Sequence, residues 1–111
     1  MSRNNKLFTY IFLILISAFF RILWIGSIPY GLNWDETAYG YNAYSLMLTG
    51  KDEWGVKNPM YLKSFGEYKP AALSYMYIPV IRLFGESNFS IRIVPAILGI
   101  VSMLFLYAFM L

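Results

Sequence analysis

Two long apolar runs constrain this chain more than any other feature of its sequence. The first covers Leu7 to Ile25 and is interrupted by Thr9, Ser17 and Arg21, while the second covers Ile93 to Leu111 and holds no charged residue. At 1.5 Å per residue, a helix of about 20 residues crosses the roughly 30 Å hydrocarbon core of a bilayer. The runs therefore predict membrane-spanning helices over 7–25 and 93–111.

A shorter apolar stretch covers Pro70 to Phe84 and contains Pro79 and Arg82. Pro70 suits the first position of a helix, where a backbone N–H is not needed. The stretch is short for a crossing, so it is interpreted as a tilted or locally thinned span, with a re-entrant segment as the alternative. The fold class expected is an all-α membrane protein with three transmembrane helices, over 7–25, 70–84 and 93–111.

The composition agrees with a membrane protein, since 59% of the residues are hydrophobic and only 14% are charged. A secretory signal peptide is the alternative interpretation of the first run, because two basic residues precede it. No small-x-small cleavage site follows that run, which favours a span.

An amphipathic surface helix is predicted over about 34–49, inside a loop that covers 26–69. Asn33 can cap its first turn, with Glu36 three residues later in the spacing of a capping box, and Gly50 suits its C-terminal end. The positions that share one helical face are Trp34, Ala38, Tyr41, Tyr44 and Leu48. This face is expected to lie on the membrane. Residues 51–69 show no clear period and are interpreted as a structured loop.

The basic residues predict the orientation of the chain. Arg3 and Lys6, together with Arg82 and Arg92, flank short segments that would share the cytoplasmic side of an inner or plasma membrane. The N-terminus is then cytoplasmic and the loop over 26–69 is extracytoplasmic. The chain ends inside its last apolar run, so a fragment of a longer, multi-pass protein is expected.

Composition also restricts the chemistry. The chain has no His and no Cys, so acid–base work falls to Asp, Glu, Lys or Tyr. The net charge of +3 is spread out, without the basic run that nucleic-acid binding needs. The candidate catalytic residues are Asp35 and Glu36, at the exit of the first span. Acids in a first helical turn are also stabilised by the helix dipole, and that structural role stays open.

A second group of candidate residues, for substrate binding, is Glu67, Tyr68 and Lys69. Lys69 stands at the mouth of the second apolar stretch, where it either anchors the chain at the interface or binds a lipid phosphate. Glu67 is expected to pair with Lys69 or to face Asp35. Arg21 is expected either to reach the membrane surface or to contact an anion inside a helix bundle.

Four pieces of sequence resemble one known family, the bacterial branch of the C-type glycosyltransferases, in the family's own order. The pieces are Asn-Trp-Asp-Glu-Thr-Ala-Tyr-Gly-Tyr-Asn-Ala-Tyr-Ser-Leu, Gly-Lys-Asp-Glu-Trp-Gly, Ser-Phe-Gly-Glu-Tyr-Lys-Pro and Leu-Phe-Gly-Glu-Ser-Asn-Phe-Ser-Ile-Arg-Ile-Val-Pro-Ala. The family includes the protein O-mannosyltransferases and the lipid A aminoarabinose transferase. Members commonly have Lys-Pro-Pro where this chain has Lys69-Pro70-Ala71.

The resemblance implies transfer of a sugar from a polyprenyl-phosphate donor to a hydroxyl of a glycan, lipid or protein. It implies Asp35 as the catalytic base, Glu36 as the neighbouring acid and Lys69 as the contact to the carrier phosphate. No cofactor is predicted, although some members use a divalent metal. The 111 residues are expected to be inactive alone. The alternatives are a non-enzymatic membrane protein that binds a carrier lipid or acts as an accessory subunit and, more weakly, a segment of a transporter.

Overall fold

A computed structural model describes residues 3–110, so the parts of the sequence predictions that fall on Met1, Ser2 and Leu111 lie outside the described residues. Four helices and one β-hairpin make up the described chain. In chain order they are α1 (Arg3–Ile22), α2 (Trp34–Thr49), β1 (Tyr61–Ser64), β2 (Glu67–Pro70), α3 (Ala72–Phe84) and α4 (Asn88–Met110).

Helices α1 and α4 form an antiparallel pair. Tyr10 near the start of α1 packs edge-on against Tyr107 near the end of α4, with ring centroids 4.7 Å apart. At the other end, Gly26 lies just beyond α1 and against Phe89 in the first turn of α4. The end of α1 and the beginning of α4 therefore lie together.

Among residues 3–110, two helices are long and apolar enough to cross a membrane, over Asn4–Ile22 and Asn88–Met110. Only 6% and 11% of their apolar windows are buried inside the protein. Helices of a soluble core bury such surface against protein, so this much exposed apolar surface is typical of contact with lipid. The first predicted span ends three residues earlier than expected, because the chain turns at Leu23 and Trp24 takes a positive φ of 56°.

The structure does not support a third span over 70–84. Helix α3 has 13 residues, which at 1.5 Å per residue is about 20 Å and too short for the hydrocarbon core. Its buried residues Tyr77 and Ile81 join Ala43 of α2 and Ile91 of α4 in the hydrophobic core. One face of α3 thus packs against protein, while Met76, Leu83 and Phe84 remain exposed. The segment between α1 and α4 begins and ends at one end of the helix pair.

Helix α2 has the predicted bounds and caps. The Asn33 side chain accepts a hydrogen bond from the Glu36 backbone N–H, and the Glu36 carboxylate accepts one from the Asn33 N–H, so the capping box is present. Gly50 ends the helix in the left-handed conformation. The predicted apolar face is only partly buried, since Ala38 is covered whereas Trp34 remains exposed. Gly40 allows α2 to approach α4, because a Cβ there would lie 2.5 Å from Ile91 Cδ1.

The expectation of an all-α fold is wrong in one respect, because residues 61–70 form a two-stranded antiparallel sheet within the predicted loop. Tyr61 pairs with Pro70, and Ser64 pairs with Glu67. The two residues between the strands, Phe65 and Gly66, have φ of 52° and 82°. Positive φ at both central positions is the signature of a type I′ turn, whose twist matches that of the strands. Pro70 accordingly ends a strand rather than beginning a helix.

Candidate functional site

A buried arginine ties the beginning of α4 to the rest of the site. Arg92 is 6% exposed, and its Nη1 donates to the carbonyl oxygens of Ile25 at 3.3 Å and Pro29 at 2.9 Å. Its Nη2 donates to the Gly31 carbonyl oxygen and, at 3.3 Å, to Glu36 Oε2. Its Nε donates to Glu36 Oε1 at 3.2 Å. The guanidinium therefore holds the irregular segment after α1 against the first turn of α2.

Glu36 is fully engaged by these contacts. Both oxygens of its carboxylate accept from Arg92, and Oε2 also accepts from the Asn33 backbone N–H at 3.0 Å. Burial raises the pKa of Glu36, but the hydrogen bonds from Arg92 and Asn33 and the charge of Arg92 outweigh it. The pKa of Glu36 therefore lies below its ordinary value, and the group is poorly suited to accept a proton near neutral pH.

Asp35 points to a different partner. Its Oδ1 accepts a hydrogen bond from Lys69 Nζ, so the two side chains form an ion pair between α2 and β2. The Asp35 side chain is 66% exposed, whereas that of Lys69 is only 15% exposed. The hydrogen bond to Asp35 raises the pKa of Lys69 above its ordinary value. Lys69 is therefore a fixed cation, and Asp35 is a carboxylate that solvent and ligands can reach.

Two aromatic rings hold Lys69 in place. Its Nζ lies 5.9 Å from the ring centroid of Tyr39 and 5.7 Å from that of Phe65, within the range of cation–π contacts. Phe65 also packs edge-on against Trp34, with centroids 5.9 Å apart. Because Trp34 precedes Asp35 on α2, the Phe65 ring fixes Lys69 and the Asp35 turn relative to each other.

The β-hairpin decides which of the predicted residues reach this site. Side chains alternate between the two faces of a strand, so Glu67 and Lys69 share one face and Tyr68 lies on the other. Lys69 is opposite Leu62 in the register, and Leu62 is buried. The structure thus brings Asp35 and Lys69 together, leaves Glu67 exposed near them, and directs Tyr68 away.

Arg21 does not reach past the end of α1. Its Nη1 donates to Ser17 Oγ at 2.7 Å, one turn back along the helix. A Cβ on Gly99 of α4 would lie 2.6 Å from Arg21 Nε, so the side chain crosses the surface between the two long helices. This position supports neither of the two roles expected for Arg21, which were an anion contact inside a helix bundle and a side chain that extends to the membrane surface.

Sequence reasoning gave no site role to Arg92 or Phe65. Arg92 is the fifth residue of an apolar helix, and a charged residue in that position needs a partner. This need was the sequence signal that could have identified Arg92. Phe65 precedes a glycine between two short alternating runs, which is the pattern of a two-residue hairpin.

Among residues 3–110, no three acidic side chains come together in a way that could hold a metal ion. Comparison with protein-family models, with curated proteins and with solved structures gave no match to the chain. The chemistry of the Asp35–Lys69 pair and its surroundings is therefore the basis for inferring a function.

We predict that Glu36→Gln lowers the free energy of unfolding by about 1–3 kcal/mol at pH 7, because buried Arg92 loses its charged partner. The folded-state pKa of Glu36 is lowered, so its contribution is present above the ordinary Glu pKa of about 4.3. It is lost as the pH falls below that value through the folded pKa. Denaturant unfolding in micelles from pH 7 to pH 3 measures both effects.

Glu86→Gln is the matched control, because Glu86 is an exposed acid in the turn before α4. It should leave the unfolding curve within about 0.5 kcal/mol of the wild type at every pH. Equal effects of the two substitutions would show that the Arg92–Glu36 pair contributes nothing specific.

Proposed function

We propose that this chain forms the donor-binding region of a membrane glycosyltransferase that takes a sugar from a polyprenyl-phosphate carrier. The observation that carries the proposal is that two adjacent acids have different partners and different exposure. Glu36 is paired with Arg92, whereas Asp35 is exposed and, among residues 3–110, is paired only with the fixed cation Lys69. The sequence resemblance to the C-type glycosyltransferases assigns Asp35 as the catalytic base and Lys69 as the contact to the carrier phosphate.

The proposed arrangement is a cell-membrane protein in which α1 and α4 cross the bilayer and residues 23–87 lie on the outer side. All six acidic residues of the chain fall within 23–87, alongside five basic ones. That segment carries a net charge of −1, while Arg3 and Lys6 lie in the first turn of α1. The basic N-terminus favours a cytoplasmic location for that end. Helix α3 then belongs to the outer region rather than to the membrane.

This arrangement suits a lipid-borne substrate. The Arg92 contacts place the first turn of α2, and with it Asp35, beside the end of α1. A polyprenyl chain lying in the bilayer along α1 and α4 would present its phosphate at that end. Lys69 can bind a phosphate as a point charge, and the aromatic rings of Tyr39 and Phe65 hold its ammonium group in place beforehand.

The proposed reaction is a single displacement at the anomeric carbon. The acceptor hydroxyl oxygen forms the new bond to that carbon, its proton passes to the Asp35 carboxylate, and the carbon–oxygen bond to phosphate breaks. The departing polyprenyl phosphate keeps the electron pair, and Lys69 stabilises its charge. Because the phosphate competes with Asp35 for Lys69, donor binding itself frees the carboxylate to act as base. One displacement inverts the anomeric configuration.

The arrangement predicts that Lys57→Cys and Arg82→Cys are labelled from the same side of the membrane. The chain has no native Cys, so single substitutions can be tested directly with a membrane-impermeant maleimide in oriented vesicles. Asn4→Cys, before the apolar part of α1, should react only from the opposite side. Labelling of Arg82→Cys together with Asn4→Cys would instead support a crossing by 70–84.

We predict that Lys69→Ala weakens binding of polyprenyl phosphate by at least tenfold, because the fixed cation at the site is lost. The measurement is a titration of the chain in nanodiscs with polyprenyl monophosphate. Lys57→Ala is the matched control, since Lys57 is an exposed lysine of the same segment and lies outside the Asp35 site. Equal losses in the two variants would indicate nonspecific attraction between lysines and phosphate.

We predict that Asp35→Asn lowers sugar transfer about 10²–10⁴-fold, the usual contribution of a general base, while donor binding is kept. Transfer is followed with a labelled polyprenyl-phosphate sugar in membranes of the cells that produce the protein. Glu86→Gln should transfer at the wild-type rate. Unchanged transfer by Asp35→Asn would reject Asp35 as the base.

A further inference from the structure

A pocket of about 380 Å³ lies next to the Asp35–Lys69 pair, between α2, the segment after it and the tip of the β-hairpin. Its volume falls within the roughly 300–1,000 Å³ common for small-molecule sites. The residues that give it chemical character are Thr37, Tyr41, Glu53, Trp54, Ser64 and Phe65. The Phe65 ring forms one wall of this pocket and also contacts Lys69 Nζ.

One residue that lines the pocket, Ser64, has a buried polar atom without a partner. Ser64 is 4% exposed, and its Oγ makes no hydrogen bond within the described chain. A buried hydroxyl without a partner is costly and uncommon, and it calls for an explanation. Because Ser64 lines the pocket, rotation of its side chain toward the pocket would let a ligand hydroxyl satisfy it.

The Glu53 carboxylate at the pocket is held by the buried side chain of Asn42. Asn42, which is 1% exposed, donates from Nδ2 to Glu53 Oε1 at 3.2 Å and accepts from the Glu53 backbone N–H at 3.0 Å. Glu53 is thereby held at the wall of the pocket as a hydrogen-bond acceptor. Among the lining residues there is no Lys or Arg, so an anionic ligand is disfavoured and a neutral one with hydroxyl donors is favoured.

The aromatic side chains are also held in place. Trp54 Nε1 donates to the Lys63 carbonyl oxygen at 2.6 Å, and Lys63 Nζ lies 5.4 Å from the Trp54 ring. Tyr41 projects from α2 and remains exposed, as do Trp54 and Phe65. Flat, exposed rings beside a carboxylate and a free hydroxyl match a sugar, which has an apolar face of C–H groups and a rim of hydroxyls.

From these observations we infer that the pocket is a subsite for one neutral sugar ring, which packs on the aromatic side chains and hydrogen-bonds to Ser64 and Glu53. That the sugar is a substrate rests on the proposed glycosyltransferase function, whereas the binding itself does not. The ring can belong to the donor, reaching past Phe65 from a phosphate on Lys69, or to the acceptor.

The test is a titration of the nanodisc-embedded chain with neutral methyl glycosides of hexoses and pentoses, followed by tryptophan fluorescence. A single sugar ring is expected to bind with a Kd on the order of 1 mM. Ser64→Ala should weaken this binding at least tenfold without lowering the Tm, because it removes a hydroxyl that lacks a partner. Ser102→Ala, on α4 and outside this pocket, should change neither quantity.

A second set of titrations distinguishes a donor sugar from an acceptor sugar in the pocket. It also tests the subsite separately from the proposed function. Polyprenyl phosphate should bind Ser64→Ala as it binds the wild type, whereas polyprenyl-phosphate sugar should bind this variant more weakly only if the donor sugar occupies the pocket. Free-glycoside binding that depends on Ser64 but not on Lys69 supports the subsite even where sugar transfer fails. No response to any glycoside, or binding as tight as that of the wild type by both Ser64→Ala and Trp54→Ala, overturns the inference.

Discussion

The Arg92 guanidinium is the constraint on which the site depends. It is buried on α4 and shares its donors among Glu36 on α2 and three carbonyl oxygens in the segment after α1. An irregular segment of this kind leaves backbone carbonyls unpaired, and each one that is buried without a donor costs free energy. Arg92 satisfies several of them at once, so the end of the helix pair and the beginning of α2 are fixed by one side chain.

This anchoring explains how two neighbouring acids acquire different chemistry. Successive residues on a helix point about 100° apart, so Asp35 and Glu36 cannot face the same partner. Glu36 turns toward Arg92 and stays charged, while Asp35 turns toward Lys69 on the β-hairpin. Glu36, the acid in the capping box, is thus a positioning residue for Asp35. Stabilisation by the helix dipole, the structural role that the sequence left open for both acids, suits Glu36 better than Asp35.

The elements set by local chemistry were predictable from the sequence, and those set by distant contacts were not. The caps of α2 at Asn33 and Gly50 follow from side-chain and backbone preferences within a few residues. An apolar stretch such as 72–84 has the same pattern whether it meets lipid or protein, and its packing on Ala43 and Ile91 could not be predicted from that pattern. The Asp35–Lys69 pair joins residues 34 positions apart, and the sequence predicted Glu67, the near neighbour, as the partner of Lys69.

Phe65 connects the two halves of the proposed site and does so in an unfavourable conformation. Its φ of 52° lies in a region where Asn and Gly are preferred and a bulky residue is an outlier, at a cost of about 1–3 kcal/mol. A hairpin selected for stability alone would carry Asn-Gly at this turn. Phenylalanine instead places a ring against Lys69, Trp34 and the neighbouring pocket. The strain is therefore best explained by the position of that ring, between a cation suited to phosphate and a pocket suited to a sugar.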